Sequence, residues 1–134
     1  KLTSYIFQSA KKGNTILFYH SSNTKKIKIL KKKGLTLIKT KLNNEGLLDL
    51  KIVLKKLFSL GTRSLLVEGG DKISKSLIKN RLIDTFYLFQ SPKILRVNKI
   101  NQGFTSFGIL NGKYKKVSKI TSKLAKDNIT IYKR

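Results

Sequence analysis

The stretch that decides the fold is SLLVEGGDKISKSLIKNRLIDTFYLFQSPKIL, residues 64–95. It opens with the apolar run 64–68, which ends on Glu68, and continues through Gly69 and Gly70 into a segment whose apolar residues recur at helical spacing. We predict a buried strand over 64–68 that turns at the two glycines directly into a helix. Such a turn places the helix N-terminus at the carboxyl edge of the sheet, where open α/β folds bind their ligands.

The segments around this stretch alternate between strand and helix patterns. Short runs of strand-forming residues bounded by Gly, Asn and Ser indicate strands, and apolar residues three and four apart indicate helices. The helix from Asp49 has the clearest pattern, with that acid in its first turn and Gly61 at its end. In chain order we predict strand 15–20, helix 24–33, strand 35–40, helix 49–61, strand 64–68, helix 73–80 and strand 85–91, which stops before Pro92.

The end of the chain carries a different pattern. Residues 98–112 contain three glycines among scattered apolar residues, which predicts a loop with at most an edge strand. Strand patterns over 114–122 and 128–134, joined by a polar turn around 126–128, predict an antiparallel hairpin. The strand–helix alternation before them predicts right-handed crossovers. The predicted fold class is therefore α/β, with a mostly parallel sheet flanked by helices and a C-terminal antiparallel hairpin.

Length and composition limit the class of protein. The 134 residues predict a single domain with its own core. No apolar run approaches the ~20 residues of a bilayer span, and the first residues lack the apolar core of a secretory signal, so we expect a cytoplasmic protein. The sequence has no cysteine and one histidine, which excludes a disulfide framework and a thiolate metal site, and we predict no bound metal.

Basic residues dominate the charge: 30 Lys and Arg against 6 Asp and Glu give a formal net charge of +24. Nearly all of them are lysine, and they occur in every segment, whereas phosphate and base recognition favours arginine. Three explanations stay open, in decreasing order of preference: a compositional bias, attraction to anionic small ligands, and binding to nucleic acid. Aromatic residues of the apolar runs, such as Phe86, Tyr87 and Phe89, are predicted to be core residues rather than platforms for stacked bases.

The turn after the strand 64–68 has the composition of a phosphate site. Gly69 and Gly70 permit a positive φ and, without a Cβ, let an anion approach the backbone N–H groups at the helix start. The helix dipole favours an anion there by ~0.3–1 kcal/mol. Glu68 can then accept hydrogen bonds from hydroxyl or ring N–H groups of a second ligand. The opposing interpretation is an ordinary tight turn with Asp71 as the helix cap and Glu68 as a solvated edge residue.

The longer pattern is that of a known family. VEGG ends an apolar strand, and a helix with a small residue, Leu-Ile-Asp, a further apolar strand and Pro-Lys-Ile-Leu follow in order. This pattern resembles the reductase domain of the bifunctional riboflavin-biosynthesis deaminase/reductase, a relative of dihydrofolate reductase. The residues that carry the resemblance are Val67, Glu68, Gly69, Gly70, Ile73, Ser76, Leu77, Leu82, Ile83, Asp84, Tyr87, Pro92, Lys93, Ile94 and Leu95.

The resemblance implies a dihydrofolate-reductase-like sheet and an NADPH-dependent oxidoreductase. The implied reaction is hydride transfer from NADPH to the ribose-derived C1′ of 5-amino-6-(5-phosphoribosylamino)uracil, with no side chain acting as a nucleophile. The expected partners are this phosphorylated pyrimidine and a second copy in a homodimer, with no specific nucleic acid and no membrane. The resemblance assigns substrate binding to Glu68. It assigns cofactor binding to Gly69, Gly70, Asp71, Lys72, Ile73, Ser74, Lys75 and Ser76.

Parts of the family pattern are missing, and alternatives stay open. The opening strand of such a domain, with its Ser-Leu-Asp-Gly loop, has no counterpart, and neither has the cysteine-bearing deaminase. We therefore expect residues 1–134 to be the incomplete C-terminal part of a reductase domain, inactive in isolation, with a degenerate reductase as the alternative. One alternative is a related reductase with another pyrimidine or a pterin as substrate, and another is a non-catalytic basic RNA-binding module. His20, at the end of the first strand, either contacts the cofactor's 2′-phosphate or is an ordinary polar strand end.

Overall fold

The computed structural model describes residues 5–8, 10, 14–21, 23–92, 104–121 and 127–134. It divides into two compact units, Lys1–Leu65 and Leu66–Arg134. The first unit contains α1 (Tyr5–Gln8), β1 (Ile16–Tyr19), α2 (Thr24–Lys32), β2 (Thr36–Lys39) and α3 (Leu50–Ser59). The second contains α4 (Asp71–Lys79), β3 (Thr85–Gln90), α5 (Phe107–Lys113), β4 (Lys115–Thr121) and β5 (Asn128–Lys133).

The first unit confirms the predicted parallel pairing for two strands. β1 and β2 run parallel, with Ile16 opposite Thr36 and Tyr19 opposite Lys39. α2 connects them, as the strand–helix–strand order predicts.

Local sequence sets the ends of α3, as predicted, but the helix begins one residue later than predicted. Asp49 is the residue before the helix rather than part of its first turn, and its carboxylate accepts hydrogen bonds from the N–H groups of Lys51, at 2.9 Å, and Ile52, at 3.3 Å. Gly61 follows the helix with φ +94°, a conformation that favours glycine.

The predicted strand at 64–68 is wrong. Residues 62–70 have no regular secondary structure, and within the described ranges no ladder pairs with them. Leu66, expected to be buried, is 81% exposed. An apolar run becomes a strand only where neighbouring strands satisfy its N–H and C=O groups. Among the described residues, parallel pairing is therefore limited to the two-stranded sheet of β1 and β2.

The second unit is built on an antiparallel sheet with strand order β3-β5-β4. The pairing of β4 with β5 confirms the predicted C-terminal hairpin, with a register shift between Lys116 and Ser118. β3, expected in the parallel sheet, instead pairs antiparallel with β5, Phe86 opposite Tyr132. Residue 126 of the predicted turn falls outside the described residues, as do Lys93, Ile94 and Leu95.

The loop predicted over 98–112 is wrong for its second part. Residues 98–103 lie outside the described ranges, but residues 107–113 form α5. Glycine lowers helix propensity by about 1 kcal/mol relative to alanine, and FGILNGK contains two glycines. Burial compensates for this cost, because Leu110 of α5 is completely buried. Tertiary packing, rather than local propensity, thus forms this helix.

The core of the second unit lies between the two helices and one face of the sheet. Its buried side chains are those of Ile78, Leu88, Leu110, Tyr114 and Tyr132, with Ile83, Phe86, Phe104 and Ile109 packed around them. Alternation along β3 sends Phe86 and Leu88 to this face. It leaves Tyr87 and Phe89 exposed, Phe89 by 67%, so the prediction that both are core residues is wrong.

The helices of the described residues are short. α3, with ten residues, is the longest of them. In the part of the chain that the structure describes, no helix has the length and apolar character needed to cross a bilayer.

The burial of Leu110 gives a test of α5. We expect Leu110→Ala to lower the free energy of unfolding by about 2–5 kcal/mol, because it leaves a cavity in a closed core. The exposed Phe89→Ala is the control, with a change below about 1 kcal/mol. Urea denaturation of both variants measures the difference. Equal changes would mean that residues 107–113 are not packed as described.

Candidate functional site

The candidate site is the turn before α4 and the first turn of that helix. Gly70 is the residue before the helix, and no side chain caps the N-terminus. The N–H groups of Ile73 and Ser74 both donate to the Gly70 carbonyl, each at 3.2 Å. The N–H groups of Asp71 and Lys72 precede the first intrahelical bonds, so they can donate to a ligand or to water. Their position at the positive end of the helix dipole favours an anion.

The two glycines have different structural roles. A Cβ on Gly69 would overlap Cγ2 of Ile73, so this position requires a residue without a side chain. A Cβ on Gly70 would meet no atom within 4 Å. Gly70 does not use the positive φ that glycine permits, because its φ is −74°. The fold thus explains Gly69, whereas the open backbone at Gly70 leaves room for a ligand.

Asp71 does not cap the helix, contrary to the opposing interpretation of the turn. Its carboxylate accepts hydrogen bonds from the Thr105 hydroxyl at 2.6 Å, the Thr105 N–H at 2.9 Å and the Ser106 hydroxyl at 3.2 Å. We call Asp71, Thr105 and Ser106 the Asp71 cluster. No local sequence pattern indicates this cluster, because 34 positions separate Asp71 from Thr105.

These contacts lower the pKa of the Asp71 carboxyl below its usual value. The Thr105 hydroxyl makes the largest contribution and the Thr105 N–H the next; Ser106 and the charge of Lys75 act in the same direction, and desolvation opposes them. Because this pKa is lower in the folded protein than in the unfolded one, the ionised carboxyl stabilises the fold at pH values above the ordinary pKa of aspartate. This contribution is lost as the pH falls through the lowered pKa.

The other predicted site residues lie around this turn. Glu68 is exposed, and it belongs to the irregular segment 62–70 instead of ending a strand. Lys72 and Lys75 are exposed, as is Ile73, which packs against Gly69. Ser74 and Ser76 are half-buried on the same helix. All of the predicted cofactor residues therefore share one continuous turn and helix, with Glu68 directly before it.

The remaining candidates from the sequence are a metal site and His20 of the first unit. Within the described ranges no group of three or more His, Asp or Glu side chains is arranged to hold a metal ion. The His20 ring, in the first unit, donates from Nδ1 to the Thr40 carbonyl oxygen at 3.1 Å. This bond gives His20 a structural role at the end of β1.

Comparison with solved structures shows what the fold resembles. The fold is similar to that of a pyrimidine reductase-like protein from Corynebacterium diphtheriae, with a TM-score of 0.60 and 17% sequence identity. The alignment covers 88% of this chain and 48% of the other, so the chain spans about half the length of that protein.

The family follows from the sequence itself. The family model of the RibD C-terminal domain matches residues 2–125. The chain therefore belongs to the RibD C-terminal domain family. This result confirms the resemblance to the riboflavin-biosynthesis reductase domain that residues 64–95 indicated.

The different roles of Gly69 and Gly70 can be tested by measuring the stability of a variant at each position. We expect Gly69→Ala to lower the free energy of unfolding of the full-length protein by about 1–3 kcal/mol, because the new methyl group overlaps Ile73. Gly70→Ala, the matched control, should cost no more than about 0.5–1 kcal/mol, since the methyl group enters open space and only the preference for glycine over alanine at the N-cap is lost. Chemical denaturation measures both. A larger loss for Gly70→Ala would contradict the described packing of the turn.

Proposed function

We propose that this chain forms part of an NADPH-dependent reductase that converts 5-amino-6-(5-phosphoribosylamino)uracil to its ribityl product in riboflavin biosynthesis. Membership of the RibD C-terminal domain family supports the reaction class. The main observation in support of the cofactor site is the exposed turn at Gly70, where the backbone and the helix N-terminus are open to an anionic ligand.

The residues of the turn suit the phosphates of a dinucleotide. Gly70 has no Cβ to block the approach, and the N–H groups of Asp71 and Lys72 can donate to phosphate oxygens. The hydroxyls of Ser74 and Ser76 are further possible donors, and the exposed ammonium groups of Lys72 and Lys75 supply positive charge. When bound, the cofactor would supply a hydride to the ribose-derived C1′; the bond from C1′ to the ring oxygen would break, and that oxygen would take a proton from solvent to give the ribityl chain.

Glu68 is the residue proposed to contact the substrate. Its exposed carboxylate directly precedes the turn, so a substrate held beside the cofactor phosphates lies within its reach. A carboxylate accepts hydrogen bonds and thus suits ring N–H or sugar hydroxyl groups. The role of the protein is to align donor and acceptor carbon, and no side chain of the turn has to form a covalent bond.

Cofactor binding can be tested at Gly70. We expect Gly70→Val to raise the Kd for NADPH about tenfold or more in the full-length protein, because the side chain fills the approach to the backbone. Gly112→Val is the matched control: a Cβ there also enters open space, but on α5. Isothermal titration measures both. Unchanged NADPH affinity in Gly70→Val would exclude the turn as the cofactor site.

Substrate binding can be tested at Glu68. We expect Glu68→Gln to lower kcat/KM for the phosphoribosylaminouracil about tenfold, because an amide accepts the substrate's donors more weakly than a carboxylate. The Kd for NADPH should change less than about twofold. Steady-state kinetics and titration of the same preparation provide the comparison. Equal loss of turnover and cofactor affinity would refute the assignment of Glu68 to the substrate.

A further inference from the structure

Asp71 lies in the proposed cofactor segment, but its side chain cannot bind a phosphate. An aspartate is ionised at neutral pH, and an ionised carboxylate is only an acceptor of hydrogen bonds. A negative charge beside the helix N-terminus also repels the anion that the helix dipole attracts. Its side chain therefore needs a role other than contact with the cofactor.

The carboxylate accepts three hydrogen bonds from the protein. Oδ1 accepts the Thr105 N–H and the Ser106 hydroxyl, and Oδ2 accepts the Thr105 hydroxyl. Hydrogen bonds with a charged partner are shorter and about twice as strong as neutral ones. The 2.6 Å bond from the Thr105 hydroxyl is of this kind.

The cluster connects the exposed turn to the core. Ser106 is buried and precedes α5, and its carbonyl accepts the Leu110 N–H at 3.0 Å. Leu110 is fixed in the centre of the core beside Ile78 of α4. On the other side of the cluster, Asp71 directly follows Gly70. The first turn of α4 is thus tied through Asp71 to a second helix, beyond its own backbone bonds.

We propose that Asp71 is a positioning residue: with Thr105 and Ser106 it holds the turn Gly70–Lys72 in the conformation that receives the cofactor. This proposal rests on the proposed function, which supplies NADPH as the ligand. It adds a distinction between residues that contact the cofactor and residues that hold the contacting residues in position. Gly70 and the N–H groups after it contact the cofactor. Asp71, Thr105 and Ser106 keep them in place and lower the ordering cost of binding.

Thr105 is the position to test, because it lies outside the proposed cofactor segment. We expect Thr105→Val, which removes the shortest bond of the cluster, to raise the KM for NADPH about three- to tenfold, with kcat within about twofold of the wild type. Thr105→Ser keeps the hydroxyl, so its KM for NADPH should stay within about twofold of the wild-type value. Thr36→Val, at an exposed threonine of β2, is the matched control and should leave both constants unchanged.

The two Asp71 variants separate hydrogen bonding from charge. Asp71→Asn retains an acceptor for Thr105 and removes the repulsive charge, so its KM for NADPH should lie at or below that of Thr105→Val. Asp71→Ala removes all three bonds and should give the highest KM of the series. An unchanged KM in Thr105→Val, or equal shifts in Thr105→Val and Thr105→Ser, would overturn the proposal. A fall in kcat at constant KM would also overturn it.

Amide hydrogen exchange tests the cluster independently of turnover. The Thr105 amide should be protected in the wild type and exchange at least tenfold faster in Asp71→Ala. If the wild type neither binds nor oxidises NADPH, the proposed function fails and exchange decides the inference alone. Faster exchange in Asp71→Ala then supports the cluster, and equal exchange in both proteins overturns it.

Discussion

The packing of α4 against α5 and the antiparallel sheet is the contact on which the candidate site depends. Ile78 and Leu110 are completely buried where the two helices meet the strands. A closed core of this kind fixes the C-terminal half of α4. The N-terminal turn of the same helix is exposed, and the hydrogen bonds of Asp71 to Thr105 and Ser106 connect it to the start of α5.

The two glycines before α4 show how one short motif combines folding and function. Gly69 is required by the fold, since the side chain of Ile73 occupies the space of its Cβ. Gly70 is not required by packing or by φ, because its Cβ would enter open space in an ordinary extended conformation. Glycine is a favoured residue at a helix N-cap, and without a Cβ it also leaves the backbone at this position open. The proposed phosphate site rests on this open backbone at the helix N-terminus.

The candidate site was predictable in composition but not in arrangement. The segment Glu68–Ser76 could be chosen from its glycines, its following helix and the resemblance to a reductase family. The partners of Asp71 could not, because Thr105 and Ser106 lie 34 and 35 positions further along in a region predicted to be a loop. Local patterns also mislead where an element depends on distant neighbours. The apolar run 64–68 has the composition of a strand, yet in the described structure it has no ladder partner.

The sequence by itself determined the family, the hairpin of β4 and β5, the parallel pair β1 and β2, and the helix ends set by Asp49 and Gly61. These features follow from short-range causes: alternation, capping and glycine conformation act within a few residues. Tertiary structure alone decided that residues 107–113 are helical, that Phe89 is exposed and that Asp71 binds Thr105. Each of these depends on which surfaces meet in the folded chain, because burial and hydrogen bonding between distant segments outweigh local preferences of about 1 kcal/mol.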